Sequence, residues 1–129
     1  MDNYTTAETA LKLKEKGFPH PEPKFGQMWK SAFTGYDSVV CNRTDTNGLK
    51  MLAPVHLIDW SHNFSAEPIL GNAENIFLPT ATDILKELGK DYNLSFFEGL
   101  FYCVHDSLMG EAYSHENPAE ACALAYLAN

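Results

Sequence analysis

The residues best suited to chemistry are three polar side chains in the segment VHLIDWSH. His56, Asp59 and His62 follow one another at three-residue intervals. Imidazole and carboxylate groups bind zinc or iron and can also transfer protons. On a β-strand, however, this spacing sends successive side chains to opposite faces, and Pro54 and the β-branched residues disfavour a helix there. We therefore predict no metal site, and keep a small metal-dependent hydrolase built on these three residues as an alternative.

A fourth candidate ligand, His105, precedes Asp106 at the end of an apolar run. A His-Asp dipeptide indicates a metal-dependent phosphohydrolase only where separate helices supply further His and Asp ligands. The chain has too few helices for that, so we predict a solvent-exposed strand end. The His115-Glu116 pair is interpreted in the same way, as part of the loop that enters the last helix.

The cysteines do not indicate a catalytic nucleophile or a disulfide framework. Cys41, Cys103 and Cys122 are widely spaced and have apolar neighbours, which is typical of buried, protonated thiols in a reducing compartment. The sequence contains no G-x-S-x-G motif and no glycine-rich phosphate loop. We predict no cofactor, and no catalytic residue can be named.

The charge is uneven along the chain. The net charge is −8, and residues 51–129 carry eleven Asp or Glu against only Lys86 and Lys90. Such a surface repels phosphate backbones, so direct binding of DNA or RNA is disfavoured. The acids keep a small protein soluble. As an alternative, this acidic part could imitate nucleic acid toward a basic partner protein.

The N-terminus has acids and lysines where a signal peptide has an apolar run, and no stretch approaches about 18 apolar residues. We therefore expect a cytoplasmic protein that does not associate with membranes.

Two amphipathic helices are predicted from their caps. The first spans about residues 5–16, beginning at a capping box formed by Thr5 and Glu8. The second, PTATDILKELG, is capped by Thr80 with Asp83 and ends at Gly89.

A third helix is predicted in HENPAEACALAYLAN. Asn117 is its N-cap, Pro118 takes the first helical position, and Glu120 is expected to complete a capping box. A helix this short needs tertiary packing. We expect its apolar stripe to cover the aromatic strands at 94–106, and the stripe consists of Ala121, Leu124, Ala125 and Ala128.

Antiparallel strands are predicted in two places. Residues 25–60 contain three strands in a meander, with a turn at Asn47-Gly48, and residues 62–75 are interpreted as a loop. The run LSFFEGLFYCVHD predicts a hairpin around Glu98-Gly99. The packing mass of this hairpin is predicted to be Phe96, Phe97, Phe101 and Tyr102.

Together these elements predict one α+β domain over residues 1–129. It contains an antiparallel sheet, made of the three-stranded meander plus the hairpin, with three helices packed on one face. The strand order within 25–75 is left open. The oligomeric state is also open, with a homodimer through the open strand edges as one alternative.

The order of parts resembles a group of uncharacterised small proteins of bacteriophages, prophages and related mobile elements of gut bacteria. The likeness rests on TTAETALKLKEKGF, the T-x-x-D-I-L-K-E-L helix and the closing NPAEACALAYL helix. It implies a mobile-element origin, a bacterial cytoplasm and a fold class, and it carries over no functional residue. We therefore expect a non-enzymatic accessory protein that acts by contact with an unidentified protein partner.

Overall fold

The computed structural model describes residues 4–31, 35–44, 46, 48, 50–54, 67–68, 75–107 and 111–129. The helices are α1 (Ala7–Glu15), α2 (Ala81–Leu88) and α3 (Pro118–Ala128). The strands are β1 (Met28–Lys30), β2 (Asp37–Thr44), β3 (Lys50–Pro54), β4 (Glu67–Pro68), β5 (Ile76–Phe77), β6 (Tyr92–Phe97), β7 (Leu100–His105) and β8 (Ala112–His115).

The chain divides into two compact units. Met1–Pro19 and Pro79–Asn129 form the helical unit, and His20–Leu78 form the sheet unit. The single domain over residues 1–129 stays a prediction.

The sheet unit is built on an antiparallel five-stranded sheet with the order β4-β3-β2-β1-β5. The predicted meander of three strands is confirmed as β1, β2 and β3. The β2–β3 pairing shifts register between Val40 and Thr44, which marks a bulge or irregularity. Strand β4 falls within the stretch 62–75 that was expected to be a loop. Asn47, half of the predicted turn, lies outside the described residues, whereas Gly48 has the positive φ of 81° that such a turn needs.

The core of the sheet unit gathers on the inner strands. Val40, Leu52 and Ala53 are completely buried. The indole of Trp29 packs against the rings of His20 and Phe77, with centroid distances of 5.0 and 5.5 Å. Both partner contacts are tilted or edge-to-face, the geometry that aromatic quadrupoles favour.

The helical unit combines all three helices with a second antiparallel sheet, of order β6-β7-β8. The predicted hairpin is confirmed, with Phe97 opposite Leu100 across the turn. Helix α3 contacts β7, β8, α1 and α2. The α+β fold with three helices, a meander and a hairpin is thus confirmed, with the two sets of strands in separate sheets. Strand β8 was not predicted.

The N-caps of α2 and α3 lie where the sequence predicted them, and the N-cap of α1 lies one residue later than predicted. Thr80 and Asp83 form the predicted capping box of α2. In α1 the N-cap is Thr6 instead of Thr5, and the Thr6 hydroxyl accepts from the Thr9 N–H at 3.3 Å. Thr5 is instead buried, and its N–H donates to the Pro79 carbonyl. Thr5 is thus bonded to Pro79, and the N-cap of α1 lies one residue later, at Thr6.

Helix α3 begins as predicted at Asn117, whose Oδ1 accepts from the Ala119 N–H at 2.9 Å. Glu120 does not complete a capping box. Its Oε1 accepts from the Thr6 N–H at 3.2 Å and from the Thr9 hydroxyl at 3.0 Å, so this buried carboxylate caps α1. A negative group at that helix end complements the exposed N–H groups and the helix dipole.

The burial of α3 is broader than the predicted stripe. Leu124 is 42% exposed and Ala128 is also exposed, so these two members of the predicted stripe were wrong. The buried residues form an almost continuous run instead, comprising Pro118, Ala119, Glu120, Ala121, Cys122, Ala123 and Ala125. These positions cover most sides of the first two turns of the helix, and α3 accordingly packs against β7, β8, α1 and α2. Across the described segments, no helix combines the length and apolar character required to cross a membrane.

Candidate docking surface

The structure describes only one of the four residues that the sequence singled out as possible metal ligands. His56, Asp59 and His62 lie outside the described residues. His105 is the last residue of β7, where its Nδ1 accepts from the Ser107 N–H at 3.1 Å. The described part of the chain contains no group of three His, Cys, Asp or Glu that could hold a metal ion.

His105 borders an open cleft of about 300 Å³ in the helical unit. Its ring stacks edge-on against Tyr92 at 4.9 Å. The polar groups of this cleft bind one another: Asn129 Nδ2 donates to the Tyr92 hydroxyl at 2.7 Å, and the Tyr113 hydroxyl donates to Glu111 at 2.8 Å. That bond to Glu111 raises the pKa of Tyr113, because it stabilises the protonated phenol. The polar side chains of this cleft are therefore hydrogen-bonded to one another, and the Tyr113 hydroxyl, whose pKa is raised, is not activated as a nucleophile.

The two buried thiols belong to the scaffold. Cys103 on β7 and Cys122 on α3 are both completely buried and lie next to each other. The adjacent Cys103 thiol, together with burial, raises the pKa of Cys122. Burial was predicted for all three cysteines; it is confirmed for Cys103 and Cys122, whereas Cys41 is only half-buried. The two thiols lie where α3 packs against the sheet, and neither is accessible to solvent.

The surface that stands out is the hairpin tip, residues 96–101. Phe96 and Phe97 are 62% and 63% exposed, so their predicted role as packing mass was wrong. The Phe96 ring packs on its cross-strand neighbour Phe101, at a centroid distance of 4.8 Å and an interplanar angle of 55°. Because Phe96 and Phe97 are consecutive in β6, their side chains lie on opposite faces of the hairpin, so the tip is apolar on both faces. Exposed apolar surface of this kind marks interaction sites more often than isolated exposed residues do.

The alternation of the strand explains why one of the two rings must be exposed. Leu94 and its partner Cys103 lie on the face that α3 covers, and Phe96 shares that face two residues nearer the turn. Phe97, as the next residue, points to the opposite face. The dipeptide Phe96-Phe97 was therefore a usable sequence signal for an exposed aromatic ring. Helices on one face of a sheet cannot cover both of two consecutive side chains.

The turn fixes the shape of the tip. Glu98 has a φ of 50° and Gly99 a φ of 85°. Positive φ at both central residues is the signature of a type I′ turn, whose twist matches that of the flanking strands. Glu98 is the only described residue other than glycine with a positive φ. The hairpin therefore presents its two phenylalanines in a defined geometry.

The tip belongs to an acidic surface. Residues 91–129 contain six acids and no Lys or Arg. Five of these acids are exposed: Asp91, Glu98, Asp106, Glu111 and Glu116. The three-stranded sheet and α3 thus combine exposed aromatic rings with acids and no cation of their own, while Lys90 lies just before β6 and Lys16 of α1 donates to the Leu127 carbonyl of α3.

Comparison with protein-family models, curated proteins and solved structures found no match to this chain. The candidate site therefore rests on the geometry and charge of the chain itself.

Proposed function

We propose that this chain is a non-catalytic accessory protein that binds another protein through the hairpin tip. The observation that carries the proposal is the pair of phenylalanines, each more than 60% exposed, on a hairpin shaped by a type I′ turn. Aromatic residues are enriched in protein interfaces and supply much of the binding energy there. The resemblance to small phage and mobile-element proteins agrees with an accessory role in a bacterial host.

The groups around the cleft beside His105 support binding over catalysis. His105 Nδ1 already accepts from the Ser107 N–H, so that nitrogen is not available as a general base. The Tyr113 hydroxyl bonds to Glu111, which raises the pKa of Tyr113. The thiols of Cys103 and Cys122 are buried.

A second candidate function is imitation of nucleic acid toward a basic protein. The absence of Lys and Arg from residues 91–129 favours it. The two functions differ in salt dependence, since contacts between exposed charges are largely screened at about 0.5 M salt, whereas apolar contacts persist.

The proposed function is tested by affinity capture from lysate of a bacterial host, comparing three forms of the protein. The wild type and Phe25→Ser should capture the same partner, because Phe25 is 68% exposed but lies in the sheet unit. The double variant Phe96→Ser/Phe97→Ser should lose that partner. Equal capture by all three forms would refute the docking role of the tip, and release of the partner at about 0.5 M salt would favour the acidic mimic instead.

A further inference from the structure

Strand β6 has an open outer edge. It is an end strand of the order β6-β7-β8, and no described strand pairs with its other side. Its sequence, YNLSFF, contains no charge, proline or glycine. Natural sheets usually protect an edge with charged residues, proline, a bulge or a short strand. Six uncharged residues with none of these devices form a template for another strand.

The hairpin geometry identifies the backbone groups that are available. The residues flanking a two-residue turn, Phe97 and Leu100, exchange backbone hydrogen bonds, and the pairs alternate from there. The backbone groups of Leu94 and Phe96 therefore point away from β7. Within the described segments neither residue forms a backbone bond beyond the hairpin, whereas the Tyr92 N–H donates to the Gly89 carbonyl at 3.3 Å. The open positions are thus Leu94 and Phe96.

The charges at the two ends of β6 differ. At the turn, Glu98 is exposed and has no Lys or Arg near it in the sequence. At the other end, the exposed Asp91 directly follows the exposed Lys90, so these two charges offset each other. A partner segment with a Lys or Arg at the end beside Glu98 matches this arrangement.

We propose that the outer edge of β6 binds an extended segment of a partner protein, with β-branched or aromatic residues and a Lys or Arg at the end that lies beside Glu98. The segment adds a fourth strand to the sheet. Its backbone bonds to Leu94 and Phe96, and its alternate side chains contact Phe96 on one face and Phe97 on the other. This inference rests on the proposed function, since it specifies the partner that the hairpin tip binds.

The first test is selection from a yeast-displayed library of random peptides about twelve residues long, with Phe96→Ser/Phe97→Ser as counter-selection. The expected peptides have β-branched or aromatic runs with a Lys or Arg at one end. They should bind the double variant at least about tenfold more weakly. Enrichment of acidic, proline-rich or helix-forming peptides, or no enrichment, would overturn the proposal.

The second test locates the peptide by amide hydrogen exchange of the complex. The amides of Leu94 and Phe96 should exchange at least about tenfold more slowly, while those of Ser95 and Phe97, already bonded to β7, should not change. Protection elsewhere would overturn strand addition. Protection of Leu94 and Phe96 in the protein alone, rising with its concentration, would show that a second copy fills the edge and would overturn the proposal as well.

A charge variant tests the basic end. Glu98→Lys should weaken the selected peptide several-fold at low salt, whereas Glu15→Lys, the same charge change on α1, should not. Equal effects of both variants would refute charge recognition at the turn end of β6. If these tests fail while the tip variant still loses its partner in the capture experiment, the proposed function stands and only the strand addition is wrong.

Discussion

The two sheets of this protein treat their aromatic residues in opposite ways. In the sheet unit Trp29 and Phe77 are 3% and 7% exposed, and the Trp29 ring packs on both Phe77 and His20. In the helical unit Phe96 and Phe97 are both more than 60% exposed. The strands concerned are MWK and IF in the sheet unit and YNLSFF in the helical unit, and both sets are rich in apolar and aromatic residues. What differs is whether another element covers the strand at that position, so composition predicts a strand but does not predict its burial.

The largest expected effect is the loss of the buried indole. Trp29→Ala should lower the free energy of unfolding by about 3–5 kcal/mol, because it leaves a cavity between His20 and Phe77. Urea denaturation followed by circular dichroism measures the change. The control Phe25→Ala, at a 68% exposed position of the same unit, should change stability by about 0.5 kcal/mol or less. Equal effects of the two variants would break the contrast between the sheets.

The next largest effect is expected at Glu120, on the helix that packs against the three-stranded sheet. Glu120→Ala should cost about 1–3 kcal/mol, because it leaves the Thr6 N–H and the Thr9 hydroxyl without their acceptor. Glu120→Gln keeps an acceptor oxygen and should cost less. The same denaturation series, with the exposed Glu116→Ala as control, measures both. A Glu120→Ala variant as stable as the control would show that this carboxylate does not hold α1.

A smaller, stabilising effect is expected at the turn. Glu98 adopts a φ of 50°, a conformation that asparagine tolerates better than glutamate. Glu98→Asn should therefore raise the free energy of unfolding by about 0.5–1 kcal/mol. Unchanged or lower stability would mean that the left-handed conformation carries no strain here.

The smallest effect is expected at the patch itself. Phe97→Ser should change the free energy of unfolding by no more than about 0.5 kcal/mol, because its ring is 63% exposed. A loss above about 1.5 kcal/mol would indicate that the ring is covered. The aromatic residues of the helical unit would then be buried like those of the sheet unit.

The features predicted correctly from sequence are local. Thr80 with Asp83, and Asn117 with Pro118, are signals contained within a few residues, and each marks a helix start in the structure. The turn at Glu98-Gly99 is likewise set by its own residues and placed the hairpin correctly.

The features that were missed depend on contacts between distant residues. Glu120 lies over a hundred positions from Thr6, which it caps, so nothing near it in the sequence indicates this partner. Strand β5 pairs beside β1 instead of with a sequence neighbour, and β8 is only four residues long, too short for a clear alternation. The exposure of Phe96 depends on how far α3 reaches along the sheet, which no local pattern encodes. The hydrolase alternative on His56, Asp59 and His62 stays a prediction, and elemental analysis of the purified protein would test it.

The placement of the lysines has a practical consequence. All nine Lys and Arg residues precede residue 91. Amine-directed biotinylation or coupling to a solid support therefore modifies only positions outside the three-stranded sheet and α3. A protein immobilised through its lysines keeps the hairpin chemically intact, and trypsin can release residues 91–129 only as one uncut fragment.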